Sequence, residues 1–171
     1  MKILVFSDTH GDKDAYNQML DFERDVEQIF CTGDSGFDLD FLEKNHILSV
    51  KGNYPFAPKL PLDISKKIKN HWFYFTHGHQ YFVKFGLNRL IKKANLLKMD
   101  LCCFGHTHQP LLTKKNKLIL LNPGALSYSR SHGFPSYARI FVESEKIDIE
   151  IINLKTKEIV DNLTEVYQWK N

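Results

Sequence analysis

The sequence predicts an α/β fold, with one domain spanning residues 1–171. Within residues 2–55, a short apolar run, a polar loop and a helix-forming stretch follow one another repeatedly, which is typical of parallel β-α-β units. After residue 100, apolar runs separated by turn residues predict antiparallel strands. Hydrophobic residues make up 43% of the chain, which is ordinary for a globular protein with a real core.

The first half of the chain is predicted to alternate between strand and helix. Three buried strands are expected, each ending in a polar loop: Lys2 to Phe6, Ile29 to Cys31 and Ile47 to Val50. The helix after the first strand is capped by Asp12 or Asp14, and a short helix from Asp38 to Lys44 follows the second. In such units the functional side chains collect at the carboxyl ends of the strands.

The second half is predicted to be richer in strands. After a loop stiffened by Pro55, Pro58 and Pro61, residues 62–68 and 71–75 are expected to pair as a hairpin. Apolar residues spaced 3, 1, 3 and 3 apart from Leu87 to Leu97 predict a helix, and residues 101–104 predict another buried strand. Two more strand pairs are expected: residues 111–113 with 118–121, and 137–142 with 147–152. We predict a closing helix over residues 156–167.

Charge and cysteine usage narrow the classes of protein. The net charge of +3 is small and the lysine clusters are not interleaved with aromatic residues, which disfavours a nucleic-acid surface. No apolar run is long enough to span a membrane, and the first residues do not form a signal peptide, so a cytoplasmic location is expected. The three cysteines are predicted to be reduced core thiols. The sequence is compatible with a homo-oligomer and does not determine the oligomeric state.

Five of the predicted strands end in side chains that can bind a divalent metal. These residues are Asp8, His10, Asp34, Asn53, His77, His106 and His108. All are carboxylate, imidazole or amide groups, which favours manganese, with iron, cobalt, nickel and zinc as alternatives. Seven ligands are too many for one ion but suit two ions that share a carboxylate, for which Asp34 is the natural bridge.

Each motif by itself is weak evidence. An Asp-x-His sequence arises often by chance, Gly-Asp and Gly-Asn are common turns, and a single loop histidine more often makes ordinary hydrogen bonds. The argument rests on the conjunction, because all five motifs directly follow apolar strands.

The ordered motifs resemble those of the calcineurin-like metallophosphoesterases. They are Asp8-x-His10, Gly33-Asp34, Gly52-Asn53, His77-Gly78-His79 and Gly105-His106-Thr107-His108. The short length and the Asn122-Pro123-Gly124 segment are most similar to the small YfcE-type bacterial phosphodiesterases, a branch that includes a eukaryotic retromer subunit. The resemblance covers roughly residues 2–142 and implies a two-sheet β-sandwich flanked by helices, with a dinuclear metal site at one edge.

The resemblance also implies how the ligands are divided. One metal would take Asp8, His10, Asp34 and His108, and the other would take Asp34, Asn53, His77 and His106. Two such ions lower the pKa of a bridging water, so that a hydroxide can attack the phosphorus of a small phosphate ester in line with the leaving oxygen. Phosphodiesters are favoured over monoesters as substrates.

The sequence departs from the family after Asn53. Many members have a histidine and an acidic residue there, and the YfcE-type branch usually has cysteine and aspartate, whereas this chain has Tyr54 and Pro55. Without that histidine, hydrolysis should favour esters with good leaving groups. Tyr54 and His79 are candidates for contacting the leaving group or the phosphoryl oxygens, and Arg130 is a candidate for gripping a phosphate.

Two other functions compete with a phosphoesterase. A non-catalytic scaffold for protein contacts, as the retromer subunit is thought to be, would be free to lose metal ligands, whereas all seven are present. A nuclease would need strong, salt-dependent binding to nucleic acid, which the small net charge disfavours.

Overall fold

The computed structural model describes residues 1–55, 59–128, 130–131 and 133–167. Pro58, one of the three prolines of the predicted stiff loop, lies outside these ranges. In chain order the helices and strands are β1 (Lys2–Phe6), α1 (Lys13–Phe22), β2 (Gln28–Cys31), α2 (Leu39–Lys44), β3 (Ile47–Ser49), β4 (Asp63–Ile68), β5 (His71–Thr76), α3 (Asn88–Leu96), β6 (Leu101–Cys103), β7 (Pro110–Lys115), β8 (Leu118–Pro123), β9 (Ser136–Val142), β10 (Lys146–Asn153) and β11 (Ile159–Val166). Two 3-10 turns, His79–Tyr81 and Val83–Phe85, precede α3.

The strands form two mixed sheets. The first has the order β11-β10-β9-β1-β2-β3, and the second has the order β4-β5-β6-β8-β7. Within the first sheet β1, β2 and β3 are parallel, as the repeated strand-loop-helix pattern predicts. Within the second sheet β5, β6 and β8 are parallel, and β4 and β7 pair antiparallel with their neighbours. Each sheet therefore has adjacent parallel strands whose carboxyl ends lie side by side.

The two sheets pack face to face around a shared apolar core. Alternate residues of β1 show why: Ile3 and Val5 belong to the core between the sheets, whereas Leu4 and Phe6 belong to the cluster that packs under α1 and α2. Side chains on successive strand positions point to opposite faces, so one strand supplies two layers. Between the sheets, the rings of Phe30 and Phe75 stack with centroids 3.9 Å apart.

The helices cover the outer faces of the sheets. Helix α1 begins where the Asp12 carboxylate accepts a hydrogen bond from the Ala15 backbone N–H at 3.0 Å, one of the two caps that the sequence predicts. Helix α2 is capped by Asp38 in the same way. Helix α3 covers the second sheet with its buried residues Leu90 and Ala94. The result confirms the two-sheet β-sandwich flanked by helices.

The predicted closing helix over residues 156–167 is wrong. The segment forms β11, which pairs antiparallel with β10 at the edge of the first sheet. Ile159, Val160 and Thr164 are β-branched and favour extended backbone. The decisive factor is the unpaired edge that β10 offers, which a local window of sequence does not reveal.

A buried ionic cluster at the end of α1 ties that helix to the first sheet. The Glu23 side chain is fully buried, and its carboxylate lies 2.8 Å from Lys2 Nζ and 3.1 Å from a guanidinium nitrogen of Arg139. The Tyr137 hydroxyl also donates to it at 2.7 Å. Burial alone would raise the pKa of Glu23, but the hydrogen bonds from Lys2 and Tyr137 and the charge of Arg139 hold it below its usual value. We call these four residues the Glu23 network.

No helix in the described ranges is long and apolar enough to cross a membrane.

Candidate metal centre

The seven predicted ligands follow the carboxyl ends of β1, β2, β3, β5 and β6. Backbone hydrogen bonds join their loops: Asp8 N–H donates to the Gly33 carbonyl at 3.1 Å, and Gly105 N–H donates to the His77 carbonyl at 3.1 Å. The second bond links β5 to β6, and the first links β1 to β2. Across the sheets, the His106 backbone N–H donates to Asp8 Oδ2 at 3.1 Å, so the loops of both sheets meet at one edge of the sandwich.

Five of the seven ligands have a backbone in the left-handed region. Their φ angles are 53° at Asp8, 50° at His10, 50° at Asp34, 70° at His106 and 59° at His108. Such angles are uncommon for residues other than glycine and cost free energy, so they persist only where the surrounding structure enforces them. Their concentration in the loops of one edge is independent evidence that this edge is a functional site.

Asp8 lies at the middle of the site and has no exposed surface. Its Oδ2 accepts hydrogen bonds from the Ser7 hydroxyl at 2.6 Å and from the His106 backbone N–H at 3.1 Å. Its Oδ1 lies 3.1 Å from His108 Nε2 and 4.0 Å from His77 Nε2. One oxygen thus fixes the carboxylate, and the other faces the imidazoles.

Asp34 is the second buried carboxylate. Its Oδ1 accepts a hydrogen bond from the Tyr54 backbone N–H at 2.8 Å, and its Oδ2 lies 3.4 Å from His77 Nε2. Gly52 packs against it so closely that a Cβ on Gly52 would overlap Asp34 Oδ1. The glycine of the Gly-Asn motif therefore makes room for the carboxylate of the preceding motif.

Two of the imidazoles are oriented by backbone carbonyl groups. His77 Nδ1 lies 2.9 Å from the Thr32 carbonyl, and His108 Nδ1 lies 2.9 Å from the Arg130 carbonyl. A carbonyl oxygen can only accept, so each Nδ1 donates and each Nε2 faces the site. This arrangement fixes the tautomer that a metal-binding histidine needs. His77 Nε2 also lies 3.1 Å from Asn53 Oδ1, which brings the amide to the same group.

The imidazoles of His10 and His106 lie beside these two. The ring centroid of His106 lies 5.0 Å from that of His77, and the His10 centroid lies 5.8 Å from that of His108. Both ring nitrogens of His10 are buried without a hydrogen-bond partner among the residues that the structure describes. Buried polar nitrogens normally have a hydrogen-bond partner or a metal ion. A cation bound at one of these nitrogens would supply the partner that His10 lacks.

The electrostatics favour ionised carboxylates. Burial alone would raise the pKa of Asp8, but the neighbouring His108 and His77 hold it below its usual value. Burial would also raise the pKa of Asp34, but the hydrogen bond and the charge of His77 lower it to about 2. The two carboxylates in turn raise the pKa values of His77 and His108, so these imidazoles supply the positive charge that a bound divalent cation would provide instead.

Three imidazoles at the site favour the neutral form. Burial lowers the pKa of His10, and it lowers the pKa of His106 to about 4 with help from the charges of His77 and Lys84. Burial and the charge of His77 also lower the pKa of His79. Only a neutral imidazole has a nitrogen lone pair for a metal, so metal binding at His10 and His106 need not displace a proton near neutral pH.

The donor atoms fit divalent metal ions. They form two overlapping groups, Asp8 with His10 and His108, and Asp8 with Asp34 and His77, and within each group the candidate ligand atoms lie within 4.8 Å of one another. Oxygen and imidazole donors without a thiolate suit hard or borderline ions. In the structure Asp8 belongs to both groups, and Asp34 belongs to the second only. The bridging role of Asp34 therefore stays a prediction.

The structure also shows where the non-ligand candidates lie. The Tyr54 ring packs edge-on against His10 with centroids 5.3 Å apart, and the His79 ring lies 5.3 Å from His77. Arg130 borders the site, since its carbonyl contacts His108 and its charge contributes to lowering the pKa of His10. All three therefore lie beside predicted metal ligands.

Sequence reasoning missed several residues that support the ligands. Gly105 has no room for a side chain, because a Cβ there would collide with the Ser7 hydroxyl and lie 2.8 Å from Asp8 Oδ2. The Asn122 amide donates to the Gly105 carbonyl at 3.1 Å and to the Thr107 hydroxyl at 3.0 Å, which braces the turn between the last two histidines. The signal was present in the Gly-His and Asn-Pro-Gly sequences, but only the packing shows what these residues do.

The fold and the site together define a class of protein: a two-sheet α/β sandwich with carboxylate and imidazole metal ligands at the carboxyl ends of its parallel strands. Comparison with known families agrees. Residues 1–145 match the calcineurin-like phosphoesterase superfamily domain, and the chain belongs to that family. Family membership implies divalent metal ions as cofactors.

Individual relatives support the assignment. The chain is 26% identical over 162 residues to the probable metallophosphoesterase YsnB of Bacillus subtilis, covering 94% of this chain and 96% of the relative. A predicted phosphoesterase from Streptococcus pneumoniae TIGR4 has a similar structure, with a TM-score of 0.82, 26% identity and coverage of 96% and 97% of the two chains.

Two more distant structures share the fold. YfcE, a phosphoesterase from E. coli, has a TM-score of 0.69 at 18% identity, with 95% of this chain and 98% of that one covered. Vps29 of Entamoeba histolytica, solved as a zinc complex, has a TM-score of 0.76 at 20% identity, with 98% and 100% covered. The family match confirms the predicted resemblance to the calcineurin-like metallophosphoesterases, and these two structures share the fold.

Proposed function

We propose that this protein hydrolyses a small phosphate ester, with phosphodiesters preferred, through two divalent ions held by the seven predicted ligands. The main support is the position of Asp8, whose carboxylate takes part in both groups of candidate ligands. A single buried carboxylate shared by two groups of donors suits a pair of neighbouring ions. Divalent ions bound there would supply a deprotonated water near neutral pH and positive charge for the phosphoryl oxygens.

The chain's own residues set the shape and charge of the site. The carbonyl groups of Thr32 and Arg130 hold two imidazoles in place, so these ligands are oriented before substrate arrives. Asn53 is solvent-exposed and carries no charge, so a ligand at the mouth of the site does not repel an approaching phosphate. Arg130, whose carbonyl contacts His108, would pair with a phosphoryl oxygen.

We infer that Tyr54 and His79 contact opposite sides of the bound ester. Tyr54 lies beside His10, and His79 lies beside His77. Tyr54 occupies the position of the histidine that many family members have after the asparagine motif, and a phenol is a weaker general acid than an imidazolium. We therefore expect good leaving groups to react fastest, because their departure needs no proton donor.

The test is hydrolysis of bis(4-nitrophenyl) phosphate, with 4-nitrophenyl phosphate as the matching monoester. Metal-free protein is supplied in turn with manganese, iron, cobalt, nickel and zinc. Asp34→Asn should lower the turnover by at least about 100-fold, because even outer-shell partners of metal ligands change activity by about 10- to 100-fold. Asp40→Asn, a change of the same type on the exposed side of α2, should leave it unchanged.

Absence of metal-dependent turnover by the wild-type protein with any of these ions would overturn the proposal. That result would favour a second function, a scaffold for protein contacts that keeps the phosphoesterase fold. The likeness to Vps29 proteins, one of them solved with a bound cyclic peptide, is the observation behind this alternative. The complete set of ligands is the observation against it.

A further inference from the structure

A groove of about 620 Å³ opens beside the candidate metal centre. His106, Thr107 and His108 form its inner end, so a molecule in the groove would touch the same turn that carries two predicted ligands. The groove then runs away from Asp8 and Asp34, towards the segment between β5 and α3 and the start of β7. A substrate whose phosphorus lies at the metal centre would therefore extend its remaining portion into this groove.

The far part of the groove is apolar on both sides. Val83 and Leu87 line one side, and Pro110 and Leu111 line the other. No aspartate or glutamate is among the described residues that line it. Apolar walls this close to a polar centre are typical of ligand sites, where a few polar groups fix orientation and the walls supply contact area.

The cationic side chain of Lys84 lies at this groove. Lys84 lines it from the second 3-10 turn and is solvent-exposed. Within the described ranges its ammonium makes no ion pair or hydrogen bond with another side chain, whereas other lysines, such as Lys2 and Lys114, pair with glutamates. His106 and His108 line the same groove, so Lys84 and the turn with two predicted ligands border one cavity.

The backbone that carries Lys84 is anchored although its side chain is exposed. The Tyr81 hydroxyl lies 2.6 Å from the buried Tyr74 hydroxyl, which also donates to Asp63 at 2.9 Å. Val83 is buried against the second sheet. The segment thus holds Lys84 at a fixed place above the groove and leaves its ammonium available for a ligand.

We propose that the groove binds the leaving portion of the substrate and selects phosphate esters whose leaving portion is apolar or aromatic and carries a second negative charge, which Lys84 pairs. This inference rests on the proposed function for the position of the phosphorus. In the reaction, a water oxygen bonds to phosphorus and the bond from phosphorus to the leaving oxygen breaks. The proton of the water goes to the leaving oxygen when an alcohol departs from the groove, and to solvent when a phenolate departs.

Two diesters that differ only in the second charge test this inference. Methyl 4-nitrophenyl phosphate and methyl 3-carboxy-4-nitrophenyl phosphate release related phenols, but only the second phenol carries a carboxylate. The metal-loaded wild-type protein should show a KM about fivefold lower for the carboxylated ester, the upper limit expected for an exposed ion pair of about 1 kcal/mol. Lys84→Met should remove this preference and Lys84→Arg should keep it.

The matched control is Lys92→Met. Lys92 is an exposed lysine of α3 that does not line the groove, so the change removes the same charge from the protein at another place. It should leave the ratio of the two KM values at the wild-type level. An equal loss of preference in Lys84→Met and Lys92→Met would show a non-specific charge effect and would overturn the inference.

A binding measurement separates this inference from the proposed function. The released phenol, 5-hydroxy-2-nitrobenzoate, is titrated into metal-free protein. Its carboxylate then has no metal ion to bind and can pair only with charged groups of the protein. NMR shift changes confined to Val83, Leu87 and Leu111 that disappear in Lys84→Met would support the groove even if neither ester is hydrolysed. Hydrolysis of both esters with equal KM values, without these shift changes, would contradict the proposed role of the groove. The proposal of a phosphoesterase would not be affected.

Discussion

Gly52→Ala should damage the metal centre although it changes no ligand. An added Cβ would lie 2.6 Å from Asp34 Cγ and 2.6 Å from the Asp34 backbone nitrogen. Carbon atoms in contact prefer a separation of about 3.5–4.0 Å, so the carboxylate or the loop must move by about 1 Å. Gly52 is not among the glycines with positive φ, so the contact with Asp34 is the cause of the damage rather than backbone strain.

A displacement of about 1 Å at a reacting centre can lower activity by about 100-fold, and we expect that loss in metal-dependent diester hydrolysis. Isothermal titration of manganese into metal-free protein should show weaker binding. Urea denaturation checks that the variant folds, with an expected loss of about 1–3 kcal/mol for overpacking. Gly133→Ala is the control for a loss of stability alone. A Cβ there meets nothing within 4 Å, but the φ of 101° disfavours a side chain, so this variant should lose stability and keep its activity and manganese affinity. Activity and manganese affinity within twofold of wild type in Gly52→Ala would refute the reasoning.

Three other predictions concern the core, the ligand pair and the leaving group. Glu23→Gln should lower the free energy of unfolding by about 2–3 kcal/mol, because it breaks a buried ionic cluster. The control is Glu27→Gln, at a side chain that is 60% exposed, which should lower it by no more than about 1 kcal/mol. The Glu23 network lowers the folded-state pKa of this carboxyl. Its contribution is therefore present above the unfolded-state pKa and lost as the pH falls through the folded-state pKa, so the gap between wild type and Glu23→Gln in urea denaturation should narrow in acid. His106→Ala and His108→Ala should each remove or weaken a different bound ion, measured as metal content per chain; loss of the same ion in both variants would contradict the division of ligands. Tyr54→Phe should slow esters with poor leaving groups more than 4-nitrophenyl esters, and an equal effect on both would limit Tyr54 to a packing role against His10.

The order of strands and ligands could be predicted because both depend on local pattern. Apolar runs that end in Asp8, Asp34 or His77 identify buried strands and the polar turns behind them without any knowledge of the partner strands. The parallel order of β1, β2 and β3 follows from the helices and loops between them. The candidate metal ligands could be predicted to lie together for the same reason, since adjacent parallel strands bring their carboxyl ends together.

Features that depend on distant neighbours could not be predicted. The segment 159–166 is a strand only because β10 offers it an edge, and its own residues are compatible with either structure. The sequence also favours Asp34 as the shared carboxylate on the basis of its Gly-Asp turn, whereas the structure places Asp8 in both donor groups. Lys84 has no motif around it, and only the path of the chain between β5 and α3 brings it over the groove.

The left-handed backbone at Asp8, His10, Asp34, His106 and His108 has a consequence for protein engineering. Grafting the seven side chains onto another scaffold would not reproduce the centre, because ordinary strand ends would aim them elsewhere. A successful transplant would have to carry the loops themselves, including Gly52 and Gly105, which leave space for the carboxylates. The smallest unit to transplant is therefore the set of turns that carries the seven predicted ligands.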